Sequence, residues 1–147
     1  MSKAAARMEM RPTNDYTSMV ALARKSGLET TSLTNVLAAY GFYLGDDLVG
    51  CACLRQSSGI FMIECLAVDD RMRGKGLGSI LVIEIEHDAR EIGVKKLWAI
   101  ARQPAFFEKN GYLRTSGSEP DGPRLRDCES CSQYLRDCHP AIMLKYL

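Results

Sequence analysis

The sequence predicts an α+β (α/β) fold with a mixed central β-sheet flanked by helices. Apolar runs separated by turn residues fill positions 39–68 and predict an antiparallel meander. A helical pattern follows at 78–92, and a strand-like run, KLWAIA, lies at 96–101. Because a helix that joins two strands of one sheet acts as a crossover, the strands on either side of it should be parallel.

The length and composition are those of one globular domain. The chain has 147 residues, of which 46% are hydrophobic and 25% charged, and its formal net charge is +1. Nucleic-acid binding needs a clustered excess of Lys and Arg. No segment approaches the roughly 18 apolar residues of a membrane span, and the start, MSKAAARMEMRP, lacks the apolar core of a signal peptide. We therefore expect one domain over residues 1–147, a cytoplasmic location, and neither nucleic acid nor a membrane as partner.

The first half of the chain predicts a strand, a helix and then three strands. Residues 8–11 have strand character, and the turn at 12–15 opens a helical pattern that runs to about Lys25, shortly before Gly27. The three strands of the meander are AYGFYL (39–44), LVGCACL (48–54) and IFMIECLAV (60–68).

The second half predicts a long amphipathic helix and two further strands. Apolar positions recur three and four residues apart at Gly78, Val82, Ile85, Ala89 and Ile92. After KLWAIA, a short helix with Pro104 in its first turn runs to Asn110. Residues 115–127 predict a loop, and AIMLKYL (141–147) predicts a strand that completes the sheet.

A glycine-rich basic turn, DRMRGKGLG (70–78), joins the meander to the long helix. Free N–H groups at a helix start form an anion site, and glycine lets phosphate oxygens approach the backbone. The P-loop pattern G-x-x-x-x-G-K-[ST] and the dinucleotide pattern G-x-G-x-x-G are both absent. The turn predicts either a diphosphate site or a solvated loop whose glycines only permit a tight bend.

The span from Leu66 to Tyr112 resembles the GNAT superfamily of N-acetyltransferases. The family signature Gln/Arg-x-x-Gly-x-Gly/Ala corresponds to Arg71-Met-Arg-Gly-Lys-Gly76, and FFEKNGY (106–112) is similar to a later family element that usually ends in Gly-Phe. The Phe-Phe pair, the Gly27-Leu-Glu segment and the tail resemble small GNAT proteins grouped near the N-acetylglutamate synthases.

This resemblance implies acetyl-CoA as the cofactor. Backbone amides of the turn would cradle its pyrophosphate, and the three basic residues there would supply a positive field. In this family the strand before the turn splays from its neighbour, so that exposed amides bind the pantetheine and polarise the thioester carbonyl. The cofactor-binding residues implied are Leu66, Ala67, Val68, Arg71, Arg73, Gly74, Lys75, Gly76, Leu77, Gly78, Ser79 and Phe107.

The reaction implied is acetyl transfer to a primary amine by direct attack in a ternary complex. The amine must lose a proton, and Glu64 is the only carboxylate in its strand, so it is the candidate catalytic base. Its alternative role is that of a polar residue on a solvent-facing strand. Many family members carry a tyrosine acid where Phe107 stands, so either another group protonates the sulfur or the thiolate leaves unaided. Phe106 and Phe107 are then expected to pack the helix and line the pantetheine channel, and Tyr112 to be structural.

The acceptor is expected to be a small-molecule or peptide amine. An amino acid would require a cation for its carboxylate, for which Arg55 and Arg102 are candidates, although both could be plain surface arginines. The alternative function is a non-catalytic acyl-CoA-binding regulatory module. A homodimer is left open.

The cysteines fall into two groups. Three lie in strand-like runs, at Cys51, Cys53 and Cys65, where free cysteine behaves as a buried apolar residue. The Cys-rich segment 128–139 contains a C-x-x-C pair and an adjacent Cys138-His139. Zinc, a reversible disulfide and free thiols are all open there, but neighbouring ligands fit one ion poorly, and no metal site is predicted.

Overall fold

The computed structural model describes residues 7–28, 33–124 and 140–147. Within these ranges the chain forms one seven-stranded sheet in the order β1-β2-β3-β4-β5-β7-β6. The strands are β1 (Met8–Pro12), β2 (Val36–Leu44), β3 (Asp47–Ser57), β4 (Ile60–Val68), β5 (Lys96–Ala101), β6 (Leu113–Arg114) and β7 (Ala141–Tyr146). The α-helices are α1 (Tyr16–Lys25), α2 (Leu77–Glu91) and α3 (Pro104–Lys109). None of the helices in the described part is long and apolar enough to cross a membrane.

The sheet is mixed, as the crossover argument predicted. β4 and β5, which α2 connects, run parallel, and every other pair of neighbours is antiparallel. The predicted last strand, β7, does complete the sheet and lies between β5 and β6. The two-residue strand β6 falls where the sequence predicted no strand, because two residues carry no alternation pattern.

Helices cover both faces of the sheet. α2 buries Leu81, Val82, Ile85 and Ala89 on one face, and α1 buries its own apolar stripe on the other. The residues that α1 packs over include Cys51, Cys53 and Cys65, which are buried and free, as predicted.

One position of the predicted apolar stripe of α2 is wrong. Ile92 lies just beyond the helix and is 58% exposed. The chain turns at Gly93, whose φ of 85° is left-handed, and Val94 enters the core in place of Ile92. The N–H of Val94 donates to the carbonyl of Ala89 at 3.0 Å, which closes the end of the helix.

A buried polar network joins α2 to the end of α3 and to β7. Glu86 of α2 is 3% exposed; it accepts the Tyr112 hydroxyl at 2.8 Å and the Lys145 ammonium at 3.1 Å. Lys145 also donates to the Asn110 carbonyl at 3.0 Å. Burial, together with the charge of Glu86, raises the pKa of Tyr112, so this hydroxyl stays protonated and acts as a donor. The structural role predicted for Tyr112 agrees with these contacts.

Candidate active site

β4 and β5 separate along their length. Their pairing is confined to Phe61 with Leu97 and Met62 with Trp98. Beyond Met62, β4 stays paired with β3 alone. The edge of β4 that faces β5 therefore has backbone groups without a strand partner over its second half, where the splay was expected.

A β-bulge bends β4 three residues beyond its last pair with β5. Cys51 of β3 pairs with Ala67 and Cys53 pairs with Glu64, so one residue of β3 faces two of β4, Cys65 and Leu66. Cys65 adopts a left-handed φ of 56°, which is uncommon for a residue other than glycine. Bulges add twist and bend a strand. We call the separation between β4 and β5 beside Leu66, Ala67 and Val68, the residues predicted to bind the cofactor, the cleft.

Asp69 fixes the chain where β4 ends and the glycine turn begins. Its carboxylate accepts the Arg71 backbone N–H at 3.0 Å, the Arg71 side chain at 3.1 Å and the Lys25 ammonium at 3.3 Å. Its own N–H donates to the Val49 carbonyl at 2.8 Å. Hydrogen bonds from Arg71 hold the pKa of Asp69 well below its usual range. The sequence analysis missed this residue, although an aspartate two positions before an arginine at a turn is a recognisable capping pattern.

The glycine turn leaves the start of α2 open. Gly74 and Gly76 both have a φ of 77°, and a Cβ on either would meet no atom within 4 Å. Gly76 is the N-cap of α2, and no side chain caps the helix there. The first N–H groups of a helix have no partner inside it. Those of Leu77, Gly78 and Ser79 thus form an unobstructed site of partial positive charge.

The three basic residues of the turn are not equivalent. Arg71 is tied to Asp69 and, at 2.8 Å, to Asp47. Arg73 pairs with Asp70 at 3.1 Å on the exposed surface, where such pairs contribute little. Lys75 is exposed and makes no ion pair in the described part of the chain. Lys75 is thus the residue whose charge is left for an external anion, while Arg71 mainly holds the turn.

Glu64 lies one residue before the bulge, with its side chain 30% exposed. Arg55 of β3 donates to it through Nη1. Arg55 also donates to the carbonyl of Thr34, through Nε at 2.6 Å, and to its hydroxyl, through Nη2 at 3.2 Å. Glu64 was predicted as the base and Arg55 as a candidate cation for a carboxylate. These two residues are therefore paired with each other.

Phe106 and Phe107 of α3 have different surroundings, and the sequence did not indicate this difference. Phe107 is 7% exposed and packs edge-to-face against Phe106 and Tyr112, with ring centroids 5.3 and 5.2 Å apart. Phe106 is half-buried and lies against the start of α2: a Cβ on Gly78 would be 3.2 Å from its ring. Of the two rings, Phe106 is the one beside the cleft. A cofactor contact for Phe107 stays a prediction.

Arg102, the other candidate cation, donates to the carbonyl of Gly27 and is half-buried. Glu29, the last residue of the Gly27-Leu-Glu segment, and the Cys-rich segment 128–139 lie outside the described residues. Among the residues that the structure does describe, no three His, Cys, Asp or Glu side chains group as metal ligands.

Two open grooves lie at the β1 side of the sheet. The larger, about 570 Å³, is lined by Arg11, Thr13 and Tyr43, and the smaller, about 330 Å³, includes Tyr40 and Asp88. Neither includes residues of β4 or of the glycine turn. The unpaired backbone groups and the free helix start both lie at the cleft between β4 and β5, and we assign the candidate active site to that cleft.

A model of the acetyltransferase (GNAT) family matches residues 8–112, and the chain belongs to this family. An uncharacterized N-acetyltransferase of Chlorobaculum tepidum is 29% identical over 105 residues, which are 71% of this chain and 67% of the relative. The N-acetylglutamate synthase of Neisseria gonorrhoeae, solved with coenzyme A and N-acetyl-glutamate, is 25% identical with a TM-score of 0.75. That match covers 98% of this chain but only 36% of the synthase.

A GNAT family acetyltransferase of Elizabethkingia anophelis, solved with acetyl-CoA bound, is 16% identical, with a TM-score of 0.69 and 95% and 98% of the two chains covered. These findings confirm the predicted family, fold and enzyme class, an acetyltransferase. They also bear out acetyl-CoA as the co-substrate of that class.

We predict that Asp69→Asn destabilises the protein at neutral pH and does so progressively less below about pH 4. Because the folded-state pKa of Asp69 is lowered, its contribution to stability is present above the ordinary pKa of an aspartate, about 3.9, and is lost as the pH falls through the folded pKa. In urea unfolding of both proteins between about pH 7 and pH 3, the gap between the midpoints should therefore be constant down to about pH 5 and narrow below it, without closing, because Asp69 is still ionised in the folded protein at the lower limit. Asp46→Asn, on the exposed β2–β3 turn, is the control and should match the wild type throughout. A gap that stays constant with pH would contradict the role given to Asp69.

Proposed function

We propose that this chain is an acetyl-CoA-dependent N-acetyltransferase that transfers the acetyl group to the primary amine of an amino acid, by direct attack in a ternary complex. The observation that carries the proposal is the free start of α2, behind left-handed Gly74 and Gly76, next to the opening between β4 and β5. We further propose that residues 1–147 form one domain. A cytoplasmic location and a homodimer stay predictions.

The donor site would be mostly backbone. Gly74 and Gly76 leave the space that a diphosphate needs, and the N–H groups from Arg73 to Gly78 would bind its oxygens, with Lys75 adding charge. Within Leu66–Val68, the amides on the edge of β4 that has no partner in β5 would hold the pantetheine and polarise the thioester carbonyl. This geometry presents the carbonyl carbon to an acceptor that enters on the other side of β4.

Proton transfer would fall to Glu64. The acceptor arrives as an ammonium, since the pKa of a free amine is near 10, and one proton must leave before nitrogen can attack. Formation of the C–N bond breaks the C–S bond, and the electron pair leaves with sulfur. Tyr112 donates to Glu86 inside the core and is not available as an acid. We propose that the thiolate leaves without a side-chain donor and takes its proton from the solvent.

The amino-acid acceptor is supported by one comparison. The gonococcal synthase that shares this fold at 25% identity was solved with N-acetyl-glutamate. This chain covers 36% of the synthase. The activity of the whole synthase is therefore only proposed for this chain.

A second candidate function is a non-catalytic acyl-CoA-binding regulatory module. Two observations favour it: Phe107 stands where relatives of this kind are expected to have an acid, and Glu64 is held by Arg55. Measurements of turnover and of cofactor binding separate the two candidates.

The test of the proposed function is thiol release from acetyl-CoA with a panel of free amino acids, polyamines and peptide N-termini, with cofactor binding followed by calorimetry on the same sample. We expect turnover with at least one amino acid. Binding of CoA without turnover on any acceptor would support the regulatory module. A folded sample that binds neither CoA nor acetyl-CoA would contradict both functions.

Gly76→Ala is expected to weaken CoA binding about tenfold, the equivalent of one lost hydrogen bond. A Cβ disfavours the left-handed conformation by about 1 kcal/mol, and the amides of the turn would move out of line. Gly59→Ala is a matched control, because Gly59 has a φ of 79° and equally open surroundings but lies on the β3–β4 hairpin. Calorimetry should show lost CoA affinity for Gly76→Ala alone, although both variants lose similar stability. Equal CoA affinity for the two variants would argue against the turn as the diphosphate site.

Glu64→Gln is expected to lower kcat about 100-fold or more, the usual effect of losing a general base, and to leave the Kd of CoA unchanged. Glutamine keeps the size and polarity of the side chain but cannot take up the proton. Steady-state kinetics and calorimetry on the same protein separate the two effects. Glu9→Gln, on the exposed part of β1, serves as the control. If Glu64→Gln turns over like the wild type at every pH, Glu64 is not the base.

A further inference from the structure

The pair formed by Arg55 and Glu64 is exposed enough to exchange partners. The side chains are 21% and 30% exposed, and they lie on the face of the sheet that carries α1. A guanidinium has five N–H donors. Three contacts, to Glu64 and to the two oxygens of Thr34, occupy three of these donors. Arg55 thus has donors to spare for a second anion.

The Thr34 contacts hold the guanidinium independently of Glu64. Nε and Nη2 donate to the carbonyl and the hydroxyl of Thr34, while Nη1 donates to Glu64. The backbone beside Thr34 is itself fixed to β3, since the Gln56 N–H donates to the Asn35 carbonyl at 3.2 Å. If Glu64 moved away, Arg55 would remain in place as a cation with its Nη1 group facing the vacated position.

The pairing conflicts with a simple base role for Glu64. A carboxylate that accepts from a guanidinium must give up or share that contact before it can take a proton from an ammonium. An α-amino acid removes the conflict, because it brings an anion and a cation on neighbouring atoms. Its carboxylate can replace Glu64 on Arg55, and its ammonium can then meet the released Glu64. The number of opposite-charge contacts rises, and no charge is left unpaired.

We propose that the carboxylate of the acceptor displaces Glu64 from Arg55, so that binding of an amino acid releases the base that activates its own amine. The inference rests on the proposed function and deepens it, because it assigns Arg55 as the residue that selects acceptors with a carboxylate next to the amine.

The proton balance is complete with the groups named. Glu64 takes one proton from the ammonium, nitrogen attacks the thioester carbon, and the C–S electron pair leaves with sulfur. The second nitrogen proton is lost as the amide forms, and solvent carries it to the thiolate. Glu64 returns its proton to water and pairs again with Arg55 once the product has left.

The test uses the amino acid with the highest turnover in the acceptor panel, its carboxamide, and the amine that remains when its α-carboxylate is removed. Arg55→Met should lower kcat/KM for the amino acid about 100-fold, through loss of charge-assisted hydrogen bonds. The same variant should leave kcat/KM for the decarboxylated amine unchanged or raise it, because Glu64 is no longer held. The carboxamide should behave like the decarboxylated amine.

The control is Arg114→Met, which removes an exposed Arg–Glu pair with Glu108, with neither residue on β3 or β4, and should alter the turnover of neither substrate. Arg55→Lys keeps the charge and should recover part of the amino-acid activity. An equal loss for the amino acid and the decarboxylated amine would show that Arg55 only supports the fold, and it would overturn the proposal.

The two proposals fail in different ways. Turnover confined to amines without a neighbouring carboxylate overturns the exchange and the amino-acid acceptor but leaves the acetyl-CoA-dependent N-acetyltransferase intact. Absence of turnover on every acceptor removes the proposed function and the exchange together.

Discussion

The bulge at Cys65 and Leu66 is the constraint on which the candidate site depends. It turns the end of β4 away from β5 and leaves backbone groups without a strand partner, although β-sheets normally pair nearly all of theirs. A left-handed residue other than glycine persists only where its surroundings fix it. Here α1 packs over the bulge, the Cys65 thiol donates to the Met19 carbonyl at 3.5 Å, and the Cys51 thiol donates to the Cys65 carbonyl at 3.2 Å. The buried cysteines thus help to hold the cleft open, a role that their apolar surroundings alone did not suggest.

The ion pairs around the glycine turn hold its conformation, whereas its backbone N–H groups are the groups proposed to recognise the ligand. Arg71 pairs with Asp69 and Asp47, which ties the turn to β3, and Asp69 also pairs with Lys25 of α1. In the proposed function, anion binding falls to backbone N–H groups, whose positions depend on the fold and hardly on side-chain rotamers. Fixed dipoles of this kind need little reorganisation when a ligand arrives.

Local patterns were sufficient to predict most of the fold. The spacing of apolar residues identified α2, the crossover argument made β4 and β5 parallel, and the glycine turn identified the helix start that anions can reach. What the sequence could not predict depends on long-range placement. Nothing local indicates that Glu86 is buried, because its partners Tyr112 and Lys145 come from two later elements. The pairing of Arg55 with Glu64 likewise depends on the register of the β3–β4 hairpin, which the bulge shifts. Ile92 was placed on the apolar stripe because a periodic pattern does not show where a helix stops.

The proposed donor and acceptor sides of the cleft are built from different parts of the chain. The donor side consists of the end of β4, the glycine turn and the start of α2, whereas Arg55 and Thr34 belong to β3 and to the segment before β2. The two parts share β4, and the start of β3 also supports the glycine turn through Asp47 and Val49. Substitutions before β2 and at Arg55 would therefore change the choice of acceptor and leave the proposed coenzyme A site intact. A scaffold divided in this way is suited to gene duplication and divergence, in which copies retain one donor and acquire different acceptors.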